Sequence, residues 1–144
     1  MESTRKLIAL TFVFTLLLLI TMPGVAARQI PQSLLANAKG KGTLTVGQEQ
    51  FEIYAVIVKL KEGGDLELTL VTEITVFISG KWSASDDNKK GIDLEITGGA
   101  TPGGVKGNGN LFLRPDGKSI ASLSLEGSSM TRKKKVVVTF VAED

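Results

Sequence analysis

The fold is decided by one stretch, Gly64–Trp82, which reads Gly-Asp-Leu-Glu-Leu-Thr-Leu-Val-Thr-Glu-Ile-Thr-Val-Phe-Ile-Ser-Gly-Lys-Trp. Apolar side chains take every second position on both sides of a break at Val71–Glu73. They are Leu66, Leu68 and Leu70 before the break, and Ile74, Val76 and Ile78 after it. Successive side chains of a strand point to opposite faces, so each half predicts a strand with one apolar face. Two such strands around a short break predict an antiparallel pair.

The same alternation continues along the chain and predicts six further strands. Between them lie turn signals such as Glu62–Asp65 and Pro115–Gly117. In Glu49–Lys61, apolar residues fall on both phases, which predicts either a strand covered on both faces or a β-bulge. The six further strands are Thr43–Val46, Glu49–Lys61, Ile92–Thr97, Val105–Arg114, Ser119–Glu126 and Val136–Ala142.

These strands predict an all-β fold, a single antiparallel domain of about eight strands over residues 42–144. Up-and-down barrel and β-sandwich both fit, and short turns between sequential strands favour the barrel. Residues 28–41 form a separate N-terminal segment. Within it, Ile30–Gly40 predicts a short helix, because Pro31 suits a first helical position and Gly40 suits a C-terminal stop. A mobile linker is the alternative there.

The N-terminus has the pattern of a secretory signal peptide, residues 1–27. Arg5 and Lys6 precede the apolar run Leu7–Met22, and Val25-Ala26-Ala27 supplies small residues for cleavage after Ala27. An uncleaved anchor is the alternative, but the run is shorter than the roughly 20 residues that a spanning helix needs. We therefore expect a secreted or periplasmic protein with no transmembrane segment after cleavage.

Composition restricts the chemistry of the processed chain. Removing 27 of the 144 residues leaves 117, with 15 Lys and Arg (17 less Arg5 and Lys6) and 14 Asp and Glu (15 less Glu2). This balance gives no global attraction to nucleic acid, so we expect no nucleic-acid partner. The chain has no Cys and no His, which excludes Ser-His-Asp triads, Cys nucleophiles and imidazole or thiolate metal sites. We predict no cofactor and no enzymatic activity.

Carboxylates are the remaining candidates for catalysis, and a hydrolase would need two of them in one cleft. Asp93 and Glu95 share one face of a predicted strand, but nothing marks that face as a cleft, and a solvated outer face is the interpretation. The acidic residues considered are Glu49, Glu52, Glu67, Glu73, Asp93 and Glu95.

Trp82 is the first candidate for ligand contact. Gly80-Lys81-Trp82 resembles the Gly-x-Trp signature of the calycins, a family that includes lipocalins and avidins. In that family the motif lies on the first barrel strand, whereas here it falls near the fourth, and the match covers three residues. The resemblance implies a barrel that binds a small apolar ligand. The alternative is that Trp82 is a large apolar plug at the rim of the core.

The second candidate is the only concentrated charge, Arg132-Lys133-Lys134-Lys135. Four consecutive cations can contact phosphate or other anionic groups, with an affinity that falls as salt rises. The favoured interpretation is a solvated tip that protects an exposed edge strand, Val136–Val141, from pairing with another chain, because no aromatic platform for single-stranded nucleic acid lies beside it.

Two loops carry weaker signals. Ser85–Gly91 is rich in Asp and Asn, but Lys90 and Thr97 stand where a calcium loop needs oxygen ligands, so a hairpin loop is the interpretation. Gly98–Gly109 lacks both phosphate-binding glycine patterns and predicts a pliable loop leading into a strand, with a ligand lid as the alternative.

The sequence therefore favours a non-enzymatic exported β-domain that acts in binding or as a structural part of the cell envelope or medium. A calycin-like barrel binding a small apolar ligand is one alternative, and a carboxylate-only hydrolase is another. If the sheet does not close, Thr43–Val46 and Val136–Val141 are edges through which the chain would self-associate. The partner itself is left unspecified.

Overall fold

The computed structural model of the chain describes residues 33–85, 91–99 and 104–144. Within these residues, eight antiparallel strands follow one another in chain order. They are β1 (Leu34–Val46), β2 (Glu49–Leu60), β3 (Asp65–Val71), β4 (Thr75–Ala84), β5 (Gly91–Gly99), β6 (Val105–Leu113), β7 (Ile120–Ser129) and β8 (Lys135–Ala142). The all-β prediction is confirmed.

The sheet is a closed up-and-down barrel in which each strand pairs with its neighbours in sequence. Closure is made by β1 and β8, which pair from Gly40 with Ala142 to Val46 with Val136. The sandwich alternative is therefore wrong. The two segments considered as free edges are hydrogen-bonded to each other, so neither offers an unpaired edge at that seam.

The interior of the barrel is filled by the alternating apolar side chains. Every strand contributes to this core, whose largest fully buried members include Phe140, Ile53 and Leu60. Eight strands enclose an interior just wide enough for side chains to fill, so this packing is what the barrel geometry allows. The buried apolar residues of β3 and β4 are Leu66, Leu68, Leu70, Val76 and Ile78, as the alternation predicts.

The predicted helix over Ile30–Gly40 is wrong from Leu34 onward, where the chain is β1. Residues 30–32 lie outside the described part of the chain. Leu34 and Ala36 are buried while Leu35 is 72% exposed, which is the two-residue rhythm of a strand. Pairing with β2 outweighs the weak helical preference of so short a segment. Leu34–Lys41 are therefore part of β1 and of the barrel, and not of a separate helical segment.

The double phase within Glu49–Lys61 comes from a β-bulge. The register of β1 against β2 shifts between Lys39 and Gly42, where two residues of β1 face Tyr54 alone. As a result, Ile53 and Val56 are both buried although they are three positions apart. A bulge bends a strand and increases its twist, which helps the sheet to close. Of the two sequence interpretations, the bulge is the one observed.

The barrel has two ends that are lined by different turns. We call one the mouth; it carries the turns Gly47–Gln48, Thr72–Ile74 and Met130–Lys134. We call the other the base; it carries the turns Lys61–Gly64 and Arg114–Ser119 together with the chain segments that flank Leu34 and Ala142. No helix long and apolar enough to cross a membrane occurs among the described residues.

Candidate functional site

The mouth contains a small crevice of about 170 Å³ that opens between the turns. Its wall is mainly apolar, with one cation and one carboxylate at the rim. The lining residues are Leu44, Val46, Glu49, Phe51, Thr72, Ile74, Val76, Ser129 and Arg132. The crevice thus brings the turn between β3 and β4 to the same site as Arg132, one of the four cations that the sequence singles out.

Two buried hydroxyl groups hold the turns around this crevice. Thr72 is 7% exposed. Its hydroxyl accepts a hydrogen bond from the Ile74 amide (3.2 Å) and donates one to the Ile74 carbonyl. Ser129 is 6% exposed, and its Oγ accepts from the Arg132 amide (3.3 Å). A buried hydroxyl needs a partner, and each finds one in its own turn. The two hydroxyl groups therefore stabilise the turns of the mouth, and the exposed side chains at its rim are the ones accessible to a ligand.

Arg132–Lys135, which we call the basic segment, projects from the turn between β7 and β8. The turn is closed by backbone bonds from the Ser129 amide to the Lys134 carbonyl (2.8 Å) and from the Lys133 amide to the Ser129 carbonyl (2.9 Å). Lys133 has φ of 51°, and no other non-glycine residue of the described chain has a positive φ. A side chain in this left-handed region costs about 1 to 2 kcal/mol. A lysine thus occupies a backbone position that glycine would adopt with less strain.

Charge is arranged differently at the two ends of the barrel. Away from the mouth, some cations are paired: Lys61 with Glu67 (2.8 Å), Lys81 with Asp65, and Arg114 with Asp144 (3.2 Å). Exposed Lys39 and Lys118 make no ion pair within the described residues. Among residues 33–85, 91–99 and 104–144, the ion pairs include no cation of the basic segment. Arg132, Lys133 and Lys135 are exposed, so the mouth carries a net positive charge although Glu49 lies with Arg132 in the lining of the crevice.

Three carboxyl groups away from the mouth have lowered pKa values. A hydrogen bond and the charge of Lys61 lower the pKa of Glu67, and Lys81 lowers the pKa of Asp65 in the same way. The Asp116 carboxylate accepts hydrogen bonds from the Ser119 hydroxyl (Oγ to Oδ2, 2.5 Å) and from the amides of Lys118 and Ser119. These bonds lower the pKa of Asp116 to about 2. Each of these carboxyls is held ionised. A general acid needs the opposite shift, so these groups lack the tuning of a glycosidase pair.

Trp82 lies near the base, far along the barrel from the basic segment. Its ring packs against the core, and its Nε1 donates to the Lys61 carbonyl (2.9 Å). The Trp82 amide also donates to the Gly64 carbonyl (2.9 Å). The side chain is partly buried against the core at that end, and the structure does not bring it together with Arg132–Lys135.

Other concave regions are open grooves on the outside of the barrel. One, of about 570 Å³, crosses β5, β6 and β7 and includes Asp93, Asn110 and Glu126. Another, of about 560 Å³, follows the bulged part of β1 beside Thr139. The described residues contain no group of three His, Cys, Asp or Glu side chains placed to hold a metal ion. Asp93 and Glu95 point outward from β5, as a solvated face would have them.

The size of the cavities argues against the alternative of a barrel that binds a small apolar ligand. Small-molecule sites are usually 300–1,000 Å³ and enclosed. Core side chains occupy the interior of this barrel, and the crevice at the mouth is only about 170 Å³. It would admit part of an extended chain and not a whole drug-sized ligand. Most of the Asp- and Asn-rich loop Ser85–Gly91 and the centre of the glycine-rich segment, residues 86–90 and 100–103, lie outside the described chain.

The sequence interpretation missed three residues of the mouth. Ile74 follows the apolar phase of β4, yet it belongs to the preceding turn and is 60% exposed. Thr72 and Ser129 carry no sequence signal beyond being small and polar next to strand ends. A turn prediction at Thr72–Ile74 would have removed Ile74 from the core, because a three-residue break is long enough to form a turn.

No family model, curated protein or solved structure matches this chain. The likeness to calycins therefore remains a resemblance over Gly80–Trp82.

Proposed function

We propose that this chain is an exported, non-enzymatic binding domain whose rigid barrel presents the basic segment to the anionic groups of a partner. The signal-peptide pattern of residues 1–27 supports export, and the lack of His and Cys supports a role outside catalysis. A filled eight-stranded barrel is a stiff scaffold, so its turns keep fixed positions and supply the contacts.

The observation that carries this proposal is the concentration of positive charge at the mouth. Four consecutive cations, Arg132–Lys135, lie at one turn, and none of them is in an ion pair among the described residues. Lys133 also occupies a strained backbone position, which costs stability and gains nothing in packing because its side chain is exposed. Strain of this kind persists where function needs it.

The alternative role for the basic segment was to protect an edge strand. That reason is weakened by closure of the barrel, because β8 is hydrogen-bonded to β7 on one side and to β1 on the other. A strand with two partners cannot pair with a further chain. Contact with an anionic partner is then the better account of four consecutive cations.

The proposal is tested with a soluble polyanion. Fluorescence anisotropy of labelled inorganic polyphosphate should report binding at low ionic strength that weakens as NaCl rises, because exposed charges are screened. The variant Arg132→Gln with Lys133→Gln and Lys135→Gln should weaken binding at least tenfold. Lys134 is left in place because its stem lies against Gly47 and supports the neighbouring turn.

A charge-matched control separates local from global electrostatics. Lys39→Gln with Lys59→Gln and Lys118→Gln removes the same net charge from the lower strands and the base. This control should keep most of the affinity. Equal loss in both triple variants, or no loss in either, would contradict a binding site at the mouth.

Export is tested separately by the mass of the mature protein. Expression in a secreting bacterial host should yield a chain beginning at Arg28, which intact mass spectrometry identifies. A protein that keeps residues 1–27 would refute the cleavage prediction and leave the binding proposal standing.

A further inference from the structure

The mouth carries exposed apolar side chains among its cations. Ile74 is 60% exposed at the turn between β3 and β4, and Met130 is 51% exposed at the start of the turn between β7 and β8. Single exposed apolar residues are ordinary on a protein surface. Here two of them occupy turn tips at the same end of the barrel, beside the basic segment, which is a combination that a purely solvated tip does not require.

The crevice strengthens this association. Ile74 and Arg132 both line it, and its wall is otherwise formed mostly by Leu44, Val46, Phe51 and Val76. An apolar surface therefore continues from the exposed tip of Ile74 into the barrel rim, with a guanidinium at its border. Long basic side chains combine an apolar stem with a charged end, which suits a boundary between hydrocarbon and water.

Charges around the tips are predominantly positive. Besides the basic segment, Lys106 is exposed on the second position of β6, which begins at the mouth. The described acidic residues at this end are Glu49, Glu73 and Glu126, the last one outward position below Ser128, which pairs with Lys106. Five cations against three carboxylates leave a net positive surface that complements anionic groups arranged in a plane.

We propose that the mouth docks on an anionic lipid surface, with Ile74 and Met130 entering the headgroup and acyl boundary and the basic segment contacting lipid phosphates. This inference rests on the proposed function and specifies its partner. Interfacial binding is the sum of apolar burial and attraction to anionic lipid, and the mouth offers both.

A soluble polyanion or a nucleic acid fits the mouth less well. Such a partner uses the cations but leaves Ile74 and Met130 in water. Proteins that bind single-stranded nucleic acid stack bases on aromatic side chains. The exposed large apolar residues at the mouth are aliphatic or thioether side chains, while exposed Tyr54 and Phe77 lie on the outer faces of β2 and β4.

The test is sedimentation of the exported protein with vesicles of equal parts phosphatidylglycerol and phosphatidylcholine, compared with vesicles of pure phosphatidylcholine. Binding should require the anionic lipid. The double variant Ile74→Ser with Met130→Ser should lower vesicle affinity about tenfold, because it removes apolar burial and leaves the charge unchanged. Its affinity for inorganic polyphosphate should be that of the parent protein.

The control uses exposed apolar residues that are distant from the mouth. Leu35 is 72% exposed on β1 near the base, and Val141 is 63% exposed near the end of β8. The variant Leu35→Ser with Val141→Ser should bind vesicles like the parent. Any loss of fold is checked for both double variants by circular dichroism and thermal unfolding.

The outcomes separate the two proposals. Vesicle binding that survives Ile74→Ser with Met130→Ser, or polyphosphate or nucleic-acid binding without vesicle binding, would overturn the lipid inference and leave an anion-binding mouth. Polyphosphate binding that survives loss of Arg132, Lys133 and Lys135 charges would overturn the proposed function itself.

Discussion

Lys133 is the residue at which stability and function are most directly opposed. Its backbone is left-handed, with φ of 51°, and its side chain is exposed within the basic segment. Glycine adopts this conformation at little cost, so Lys133→Gly should stabilise the fold by about 1 kcal/mol. The same change removes a cation from the mouth and should weaken polyphosphate binding. Urea unfolding and anisotropy measure the two effects; a stabilised variant with unchanged binding would contradict a role for this cation.

Asp116 gives the barrel a defined response to acid. Its carboxylate accepts bonds from the Lys118 and Ser119 amides (2.8 and 2.9 Å) and from the Ser119 hydroxyl, and these lower its pKa from 3.8 to about 2. A depressed pKa in the folded state contributes stability above the unfolded value. That contribution is lost as pH falls from about 4 to 2.

The expected result is a difference in acid sensitivity between the parent protein and Asp116→Asn. The parent should lose urea resistance between pH 5 and about pH 2 more steeply than the variant, because asparagine does not titrate. Some loss should remain in the variant, since the pKa values of Asp65 and Glu67 are also lowered. Identical pH profiles would show that Asp116 does not contribute.

At the scale of elements, strands approach one another most closely at inward glycines. A Cβ built on Gly80 would lie 1.9 Å from the Glu95 carbonyl oxygen across the β4–β5 pair. Glycine here permits the close approach and coincides with the register shift between Ser79 and Gly80. This is the bulge-and-glycine arrangement by which a sheet bends to close.

Gly80→Ala should therefore destabilise the barrel by about 2 kcal/mol, because backbone atoms must move apart to admit the methyl group. Gly98→Ala is the matched control on the same strand pair, since its Cβ would meet only the Ser79 Oγ at 3.3 Å. The control should stay within about 0.5 kcal/mol of the parent. Thermal unfolding compares the two, and similar losses would argue against a close approach at Gly80.

The elements also show where sequence patterns stop being informative. Alternation identifies β3 to β5 because each buries one face. The Pro115–Gly117 turn is recognised because the Asp116 carboxylate accepts from the Lys118 amide two residues later, as Asp does in turns. The alternation pattern fails for the first part of β1, where the inward residues Ala36 and Ala38 are small and differ little in hydrophobicity from their neighbours. The helix-capping signals at Pro31 and Gly40 therefore predict a helix there, because the two-residue alternation is evident only from the pairing with β2.

At the scale of the whole molecule, the candidate site was only half predictable. The basic segment is visible in the sequence as a run of charge. Ile74 is distant from it in the chain: the up-and-down strand order puts the two turns at the same end, and closure of the barrel brings them to one crevice. The sequence alone also leaves the sheet open or closed, so the choice between edge protection and anion contact depends on the pairing of β1 with β8.

The corrected domain boundary makes a prediction about the whole barrel. A chain that begins at Gly42 lacks Leu34–Lys41, the part of β1 that pairs with β2 from Leu60 to Ala55. It loses the buried side chains of Leu34 and Ala36 and exposes Leu60. We expect a loss of about 3 kcal/mol or more in unfolding free energy. A chain that begins at Ser33 should unfold like the mature protein, and equal stability of the two shortened chains would refute the boundary.

The route of the chain through the barrel has a practical consequence. Leu34 starts β1 and Ala142 ends β8 at the base, and the Glu143 amide donates to the Lys39 carbonyl there (2.9 Å). A fluorescent reporter or an affinity handle joined after Asp144 would extend away from Arg132 by the full height of the cylinder. Labelled protein immobilised through such a handle would leave its opposite pole accessible, so surface-based assays and single-particle imaging can be set up without blocking the cationic turn.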